Sequence, residues 1–126
     1  MSNQLITEQP QPIKNNLPAV WDLVVDDLNH ITGVSANQVL RLVEQDMKDR
    51  DSEGLKRYGT RLQPCNGRNA LTDAYQEALD LVVYLRQAIY EKENTTKNSA
   101  TTLWLIYKEQ LRLITMFRGI MKSEGL

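Results

Sequence analysis

The sequence predicts an all-α fold, a bundle of four amphipathic helices, and three observations lead to it. Apolar residues recur at helical spacing in four separate segments of the 126-residue chain. No segment carries a strong signal for a strand. The chain contains only six Gly and four Pro, a composition that favours long helices over a loop-rich chain. Amphipathic helices joined by short polar links bury their apolar faces against one another, which is the architecture of a bundle.

The chain begins with a polar stretch that precedes the first helix. Residues 1–16 carry two Gln-Pro pairs and no periodicity, which predicts a flexible N-terminal arm. The remainder, 17–126, is predicted to form a single domain. Its first helix starts near Pro18 and ends before Thr32. The apolar residues at helical spacing in this segment are Ala19, Val20, Leu23, Val24 and Leu28.

The second helix opens with a capping-box pattern, Ser35-Ala-Asn-Gln38, and ends near Gly54 or Gly59. Its apolar face consists of Val39, Leu40, Val43 and Met47. The segment that follows, YGTRLQPCNGRN, is dense in turn-forming residues and predicts a loop.

The third helix is predicted from about Ala70 to Glu93, and the fourth comprises TTLWLIYKEQLRLITMFRGIMK. The polar link NTTKNSA separates them. The fourth helix is apolar over a wider arc than one packing partner in a small domain could cover. This predicts a homodimer or a larger homo-oligomer.

Composition and charge exclude several classes of partner. The formal net charge of −1 and the pI of about 5.8 give no broad basic face, which disfavours a nucleic-acid polymer as partner. No segment is apolar over the length of a signal peptide or a bilayer span. The single Cys65 cannot form an internal disulfide. A cytoplasmic protein without a membrane partner is therefore expected.

Acidic residues form a stripe along one side of the third helix. At 100° per residue, Asp73, Glu77, Asp80 and Tyr84 fall within a band of roughly 60°, apart from the apolar side. Like charges three or four residues apart cost a few tenths of a kcal/mol each. No Lys or Arg lies on the stripe to relieve them. Such a stripe is typical either of a solvated helix face or of a surface that binds a cation.

The second helix carries a matching acidic set, Asp46, Asp49 and Glu53, on one side. Two antiparallel helices joined by a loop would bring the two sets face to face. Carboxylate oxygens suit Mg²⁺ or Mn²⁺, which can clamp a phosphate chain and activate a water while a carboxylate acts as general base. Zinc is a poor fit because His30 and Cys65 lie outside both sets.

This arrangement resembles the all-α nucleoside triphosphate pyrophosphohydrolases of the MazG-like superfamily, whose signature is Glu-x-x-Glu, a spacer, and then Glu-x-x-Asp. The second half matches at Glu77-Ala-Leu-Asp80. Asp46 and Asp49 stand where the first half has glutamates, and Glu44 and Glu53 are the alternative ligands. The run RDSEGLKRYGTRLQPCNGRNALTDAYQEALDLVVYLRQAIYE is also similar to short phage and bacterial MazG-like proteins. The resemblance covers about residues 40–92.

The resemblance implies a MazG-like bundle, usually a dimer or tetramer, that hydrolyses a nucleoside triphosphate to a monophosphate and pyrophosphate. Mg²⁺ or Mn²⁺ would be held by Asp46, Asp49, Glu77 and Asp80, with Glu53 or Glu77 activating water. Some phage members are dATP/dGTP diphosphohydrolases, which makes deoxynucleoside triphosphates the implied substrates and the host cytoplasm the implied location. The alternative is a non-enzymatic helical oligomerisation or adaptor protein whose acidic residues serve solubility.

Four basic side chains in or beside the predicted loop are candidates for binding the phosphates of such a substrate. These are Lys56, Arg57, Arg61 and Arg68. The alternative for each is a charge that faces solvent.

Three uncharged side chains are further candidate substrate contacts. Asn66 either forms a tight turn or reads the base. Tyr58 either stacks on the base or covers core at a helix end. Tyr84 either hydrogen-bonds a ligand carboxylate or is an interface aromatic with a solvated hydroxyl.

Overall fold

The computed structural model describes residues 9–32, 37–95 and 100–126, and its helices confirm the all-α prediction. Four helices lie in these ranges: α1 (Val20–Thr32), α2 (Gln38–Tyr58), α3 (Ala70–Thr95) and α4 (Thr101–Ser123). The same residues contain no strand. Among the helices described, none combines the length and the apolar character needed to cross a membrane.

The chain divides into two compact units. One unit, Pro10–Arg68, contains α1 and α2; the other contains Gln9 and Asn69–Leu126, with α3 and α4. Within each unit the two helices pack against each other. The prediction of a flexible arm over 1–16 and a single domain over 17–126 stays a prediction.

The two ends of α2 are capped by local hydrogen bonds. Asn37 is the N-cap, and its Oδ1 accepts hydrogen bonds from the backbone nitrogens of Val39 at 2.8 Å and Leu40 at 3.3 Å. The predicted capping box therefore starts two residues too early, although Ser35 itself lies outside the described residues. At the other end, Gly59 adopts φ 73° and its N–H donates to the carbonyl of Leu55, a left-handed cap that glycine forms without a Cβ penalty.

Residues 10–19 are non-helical and bond to the loop that follows α2. The N–H of Ile13 donates to the carbonyl of Asn66 at 2.8 Å. The side chain of Gln63 accepts from the N–H of Asn15 at 3.0 Å and donates to its carbonyl at 2.6 Å. The part of the predicted arm that belongs to this unit is therefore joined to the loop by hydrogen bonds.

The core between α3 and α4 is small and rests on few side chains. Ile89 of α3 and Met121 of α4 are fully buried. Trp104 of α4 lies against α3: its ring centroid is 5.0 Å from the guanidinium carbon of Arg86, and its Nε1 donates to Glu93 at 3.1 Å. These contacts hold the two helices together as a hairpin.

Large apolar side chains remain exposed on α4. Leu105, Met116 and Ile120 are 64%, 60% and 50% exposed, although another face of the helix packs on α3. This agrees with the wide apolar arc of the fourth predicted helix. The oligomeric state stays a prediction.

Candidate functional site

The acidic stripe of α3 lies on the solvent-exposed side of the helix. Glu77, Asp80 and Tyr84 are exposed and Asp73 is half-buried. By helical geometry this side is roughly opposite the buried Ile89, which faces α4. The packing within this unit therefore leaves the stripe accessible.

Asp73 differs from the other acids of the stripe because Gln9 engages it. The Nε2 of Gln9 donates to Asp73 Oδ1 at 2.6 Å, and the Oε1 of Gln9 accepts from the N–H of Asn69 at 2.6 Å. Asn69 in turn accepts from the N–H of Thr72 through its side chain at 3.0 Å. Asp73 thus belongs to the hydrogen-bonded start of α3, and Glu77 and Asp80 are the exposed carboxylate pair one turn apart.

The acidic set of α2 is also exposed. Asp46, Asp49 and Glu53 are exposed, and Asp49 accepts a hydrogen bond from Gln45 Nε2 at 2.9 Å. Glu44, one of the two alternative ligands, has a side chain only 25% exposed and pairs with Lys48 at 3.2 Å. Accessibility therefore favours Asp46, Asp49 and Glu53 over Glu44 as ligands.

The donor chemistry of both sets fits a hard divalent cation, because every donor is a carboxylate oxygen. Within either unit, the described residues bring no three His, Cys, Asp or Glu side chains into a metal-binding group. Each unit thus offers a pair of candidate ligands, Asp46 and Asp49 on α2 or Glu77 and Asp80 on α3. The four-carboxylate set implied by the resemblance requires both pairs.

Arg61, a predicted phosphate ligand, is engaged by two carboxylates within its own unit. Its Nε and Nη2 donate to Asp51, with the shortest distance 2.6 Å, and its Nη2 and Nη1 donate to Asp22 at 2.6 and 3.1 Å. Because Asp22 belongs to α1 and Asp51 to α2, the guanidinium joins the two helices. A phosphate could reach these donors only in competition with a carboxylate.

The same contacts shift two pKa values in opposite directions. The hydrogen bonds that Arg61 donates to Asp51, and then those that it donates to Asp22, raise the pKa of Arg61 above its ordinary value. The hydrogen bond from Arg61 lowers the pKa of Asp22 below 3.8. A carboxyl with a lowered pKa stabilises the fold above its ordinary pKa, and that stabilisation is lost as the pH falls through the lowered value.

The other predicted phosphate ligands have different surroundings. Lys56 and Arg57 are exposed in the last turn of α2, and the guanidinium of Arg57 lies 5.5 Å from the ring centroid of the half-exposed Tyr58. Arg68 donates to the carbonyl of Pro10 at 2.7 Å. Lys56 and Arg57 are therefore the more accessible of the four cations.

Asn66 is 7% exposed and makes hydrogen bonds that shape the loop. Its Oδ1 accepts from the N–H of Arg68 at 3.1 Å, and its carbonyl accepts from Ile13. The next residue, Gly67, has φ 85°, and a Cβ there would lie 3.3 Å from the Ile13 side chain. These observations favour the turn role of Asn66 over contact with a base.

The partners of Arg61 are the functional detail that sequence reasoning missed. Asp51 lies one turn after Met47, on the side of α2 that carries its apolar face, and its side chain is only 17% exposed. A carboxylate on an apolar face is the available signal, since a buried charge usually has a partner. Nothing in the sequence indicates that the partner is Arg61 or that Asp22 joins them.

The candidate residues thus comprise one acidic set on α2, one acidic set on α3, and a group of basic and polar side chains in or beside the loop that follows α2. Comparison with protein-family models, with curated proteins and with solved structures finds no match to this chain. Membership of the MazG-like superfamily stays a prediction.

Proposed function

We propose that the protein is a metal-dependent nucleoside triphosphate pyrophosphohydrolase that converts a deoxynucleoside triphosphate to its monophosphate and pyrophosphate. The observation that supports this most directly is the exposed Glu77–Asp80 pair, which lies in the Glu-Ala-Leu-Asp sequence that matches the family signature. Ligands of a catalytic metal must be accessible to substrate, and both carboxylates meet this requirement.

The proposal assigns Mg²⁺ or Mn²⁺ to Asp46, Asp49, Glu77 and Asp80. When bound, such an ion neutralises phosphate charge and lowers the pKa of a water molecule. Glu53 and Glu77 are the proposed proton acceptors for the attacking water. Their exposed carboxylates are available for this role.

The proposed phosphate contacts are led by Lys56 and Arg57, because both are exposed. Tyr58 and Tyr84 have exposed rings that could stack on or bond to substrate, being 52% and 65% exposed. Arg61, Asn66 and Arg68 already make the hydrogen bonds described above. To bind substrate, each side chain would have to use a donor or acceptor left over from these bonds or break one of them. The purine preference, the MazG-like bundle, the homodimer or homotetramer, and a phage-encoded enzyme in the host cytoplasm are parts of the proposal that follow from the resemblance.

A non-enzymatic helical adaptor or oligomerisation protein is the second candidate. The exposed apolar side chains of α4 favour it, because such a surface is typical of a protein–protein contact. In that case the acidic sets serve solubility, and substitution of Glu77 leaves Mn²⁺ binding unchanged.

Release of pyrophosphate from a panel of the eight common nucleoside triphosphates, with and without Mg²⁺ or Mn²⁺, tests the proposal. We expect release that requires the metal and is greatest with dATP or dGTP. Glu77→Gln should reduce it about 100-fold or more. The matched control is Asp27→Asn, an exposed carboxylate of α1 without an assigned role, which should retain activity.

Two outcomes would contradict the proposal in different ways. Absence of release with every nucleotide would favour the adaptor. Release unchanged by Glu77→Gln would keep an enzyme but reject this site.

A further inference from the structure

Four side chains of α4 form a stripe on the side of the helix that faces away from α3. They are Leu105, Glu109, Arg112 and Met116, and at 100° per residue they fall within about 60°. The centre of the stripe lies about 150° around the helix from Met121, which is fully buried on the side that packs against α3. All four side chains are exposed. The packing of α4 on α3 therefore leaves this stripe open to a further helix.

The spacing of the stripe is that of a seam between two helices. Successive members are four, three and four residues apart, the alternation that keeps one side of a helix against a partner helix. The two ends of the stripe are apolar, and its middle carries one acid and one base. Leu105 and Met116 are 64% and 60% exposed, so burying them against a partner would remove much apolar surface from water.

The order of the charges indicates which partner fits. If a second copy of α4 packs antiparallel about a two-fold axis at the midpoint of the stripe, Leu105 of each copy faces Met116 of the other, and Glu109 faces Arg112. In a parallel pair each residue would instead face its own counterpart, which brings like charges together. The stripe is therefore complementary to itself in charge when the two copies run antiparallel.

The angular positions on the helix agree with this pairing. Glu109 and Arg112 lie about 30° to either side of the centre of the stripe, where side chains of paired helices pack into the facing helix. Ile106 and Ile120 are exposed along one edge of the stripe. A two-fold antiparallel pair brings the same edge of both helices together, so these isoleucines extend the apolar contact on that edge.

The charged centre of the stripe sets the direction of the contact. Arg112 pairs with Glu109 on its own helix, with side chains 70% and 49% exposed, and such an exposed pair contributes little to stability. In the antiparallel pair each Arg112 also meets Glu109 of the second copy, so that four charges alternate in sign. Polar groups within a helix seam fix its register at some cost in stability.

We propose that α4 packs antiparallel on α4 of a second copy through this stripe, with Leu105 on Met116 and Glu109 on Arg112 across a two-fold axis. The family resemblance implies an oligomer, and this proposal adds the face, the direction and the register of one contact. It does not rest on the enzymatic function.

Charge reversal followed by mixing tests the contact. In sedimentation velocity over a concentration series we expect a dimer for the native chain. Glu109→Arg and Arg112→Glu should each raise the dimer dissociation constant at least about tenfold, because each variant places like charges opposite one another. An equimolar mixture of the two variants should associate again, since all charge contacts between its chains are then between opposite signs, whereas the pair within each helix remains like-charged.

The control is Lys122→Glu, a charge reversal at an exposed position of α4 outside the stripe. It should leave the dissociation constant within about twofold of the native value, because exposed charges away from a contact contribute little. Circular dichroism checks that all variants remain helical.

Cross-linking tests the antiparallel direction independently. In a Cys65→Ser background, Leu105→Cys and Met116→Cys chains are treated with a short bifunctional thiol reagent. The mixture should cross-link more readily than either chain alone, because identical positions lie about 16 Å apart along the axis of the proposed pair.

Four results would overturn the proposal. The first is a native chain that is monomeric at all concentrations. The second is a charge reversal in the stripe that changes association no more than Lys122→Glu does. The third is a mixture of the two reversed chains that associates no more tightly than either alone. The fourth is cross-linking of one cysteine variant alone as readily as the mixture, which would reject the antiparallel direction.

Discussion

The guanidinium of Arg61 joins α1 and α2 through two carboxylates whose surroundings differ. The side chain of Asp51 is 17% exposed, whereas that of Asp22 is 65% exposed. An ion pair in solvent contributes little because water and salt screen it. A partly buried pair is costly to break, because the remaining charge stays without a partner. Asp51 should therefore carry most of the stability of this cluster.

Replacing each aspartate in turn separates the two contributions. We expect Asp51→Asn to lower the free energy of unfolding by about 1–3 kcal/mol, and Asp22→Asn to lower it by clearly less. Urea denaturation followed by circular dichroism measures both. An Asp22→Asn change equal to or larger than the Asp51→Asn change would contradict the assignment.

His30, at the end of α1, is the only histidine and makes a local contact with Asp26. Its Nδ1 donates to the carbonyl of Asp26 at 2.8 Å, and the Asp26 carboxylate lies 3.4 Å away. The backbone hydrogen bond first, and the carboxylate charge second, raise the pKa of His30 above 6.5. Its contribution to stability is therefore fully present below pH 6.5 and is lost as the pH rises through the raised pKa.

An NMR titration of the imidazole checks this shift without ambiguity of assignment. We expect a midpoint above 6.5 in the native chain. Asp26→Asn should move it only part of the way back, because the backbone carbonyl remains. A native midpoint at or below the ordinary value would show that the contact with Asp26 does not form in solution.

Gly54, inside α2, and Gly59, at its C-cap, have opposite backbone conformations. Gly59 ends the helix with φ 73°, whereas Gly54 lies inside it, where an added Cβ would meet no atom within 4 Å. Alanine is disfavoured in the left-handed conformation and favoured inside a helix. The two positions should therefore respond to the same substitution with opposite signs.

Thermal or urea unfolding of the two alanine variants measures this contrast. Gly59→Ala should destabilise the protein by about 1 kcal/mol, and Gly54→Ala should stabilise it by roughly 0.5–1 kcal/mol. Changes of the same sign in both variants would contradict the C-cap at Gly59.

Helical periodicity was sufficient to predict the existence and order of all four described helices. It did not identify Asn37 as the N-cap of α2, because Ser35 and Asn37 are both residue types that cap helices and their order in the sequence does not show which one does so. It also could not identify the partners of Arg61. The three charged residues come from α1, α2 and the loop, and their contact depends on how those segments pack.

At the scale of the whole molecule, the candidate site is subject to the same limit, because contacts between different helices cannot be predicted from periodicity. Periodicity placed Glu77 and Asp80 on one side of α3 and Asp46 and Asp49 on one side of α2, and the structure shows that all four side chains are exposed. The spacing of residues within one helix does not show which side of that helix faces another helix, because this depends on how all the helices pack. Whether the two carboxylate pairs share divalent ions is therefore the central question for function.

A double-mutant cycle on Mn²⁺ affinity, with a non-hydrolysable dATP analogue present, addresses that question. Asp49→Asn and Asp80→Asn remove one carboxylate from each helix without changing side-chain size, and Asp27→Asn is the control. The site proposed here predicts that each change weakens Mn²⁺ binding at least about tenfold and that the double variant loses clearly less than the sum, with a coupling energy of about 1 kcal/mol or more. Unchanged Mn²⁺ affinity, or losses that simply add, would contradict a metal site shared by α2 and α3.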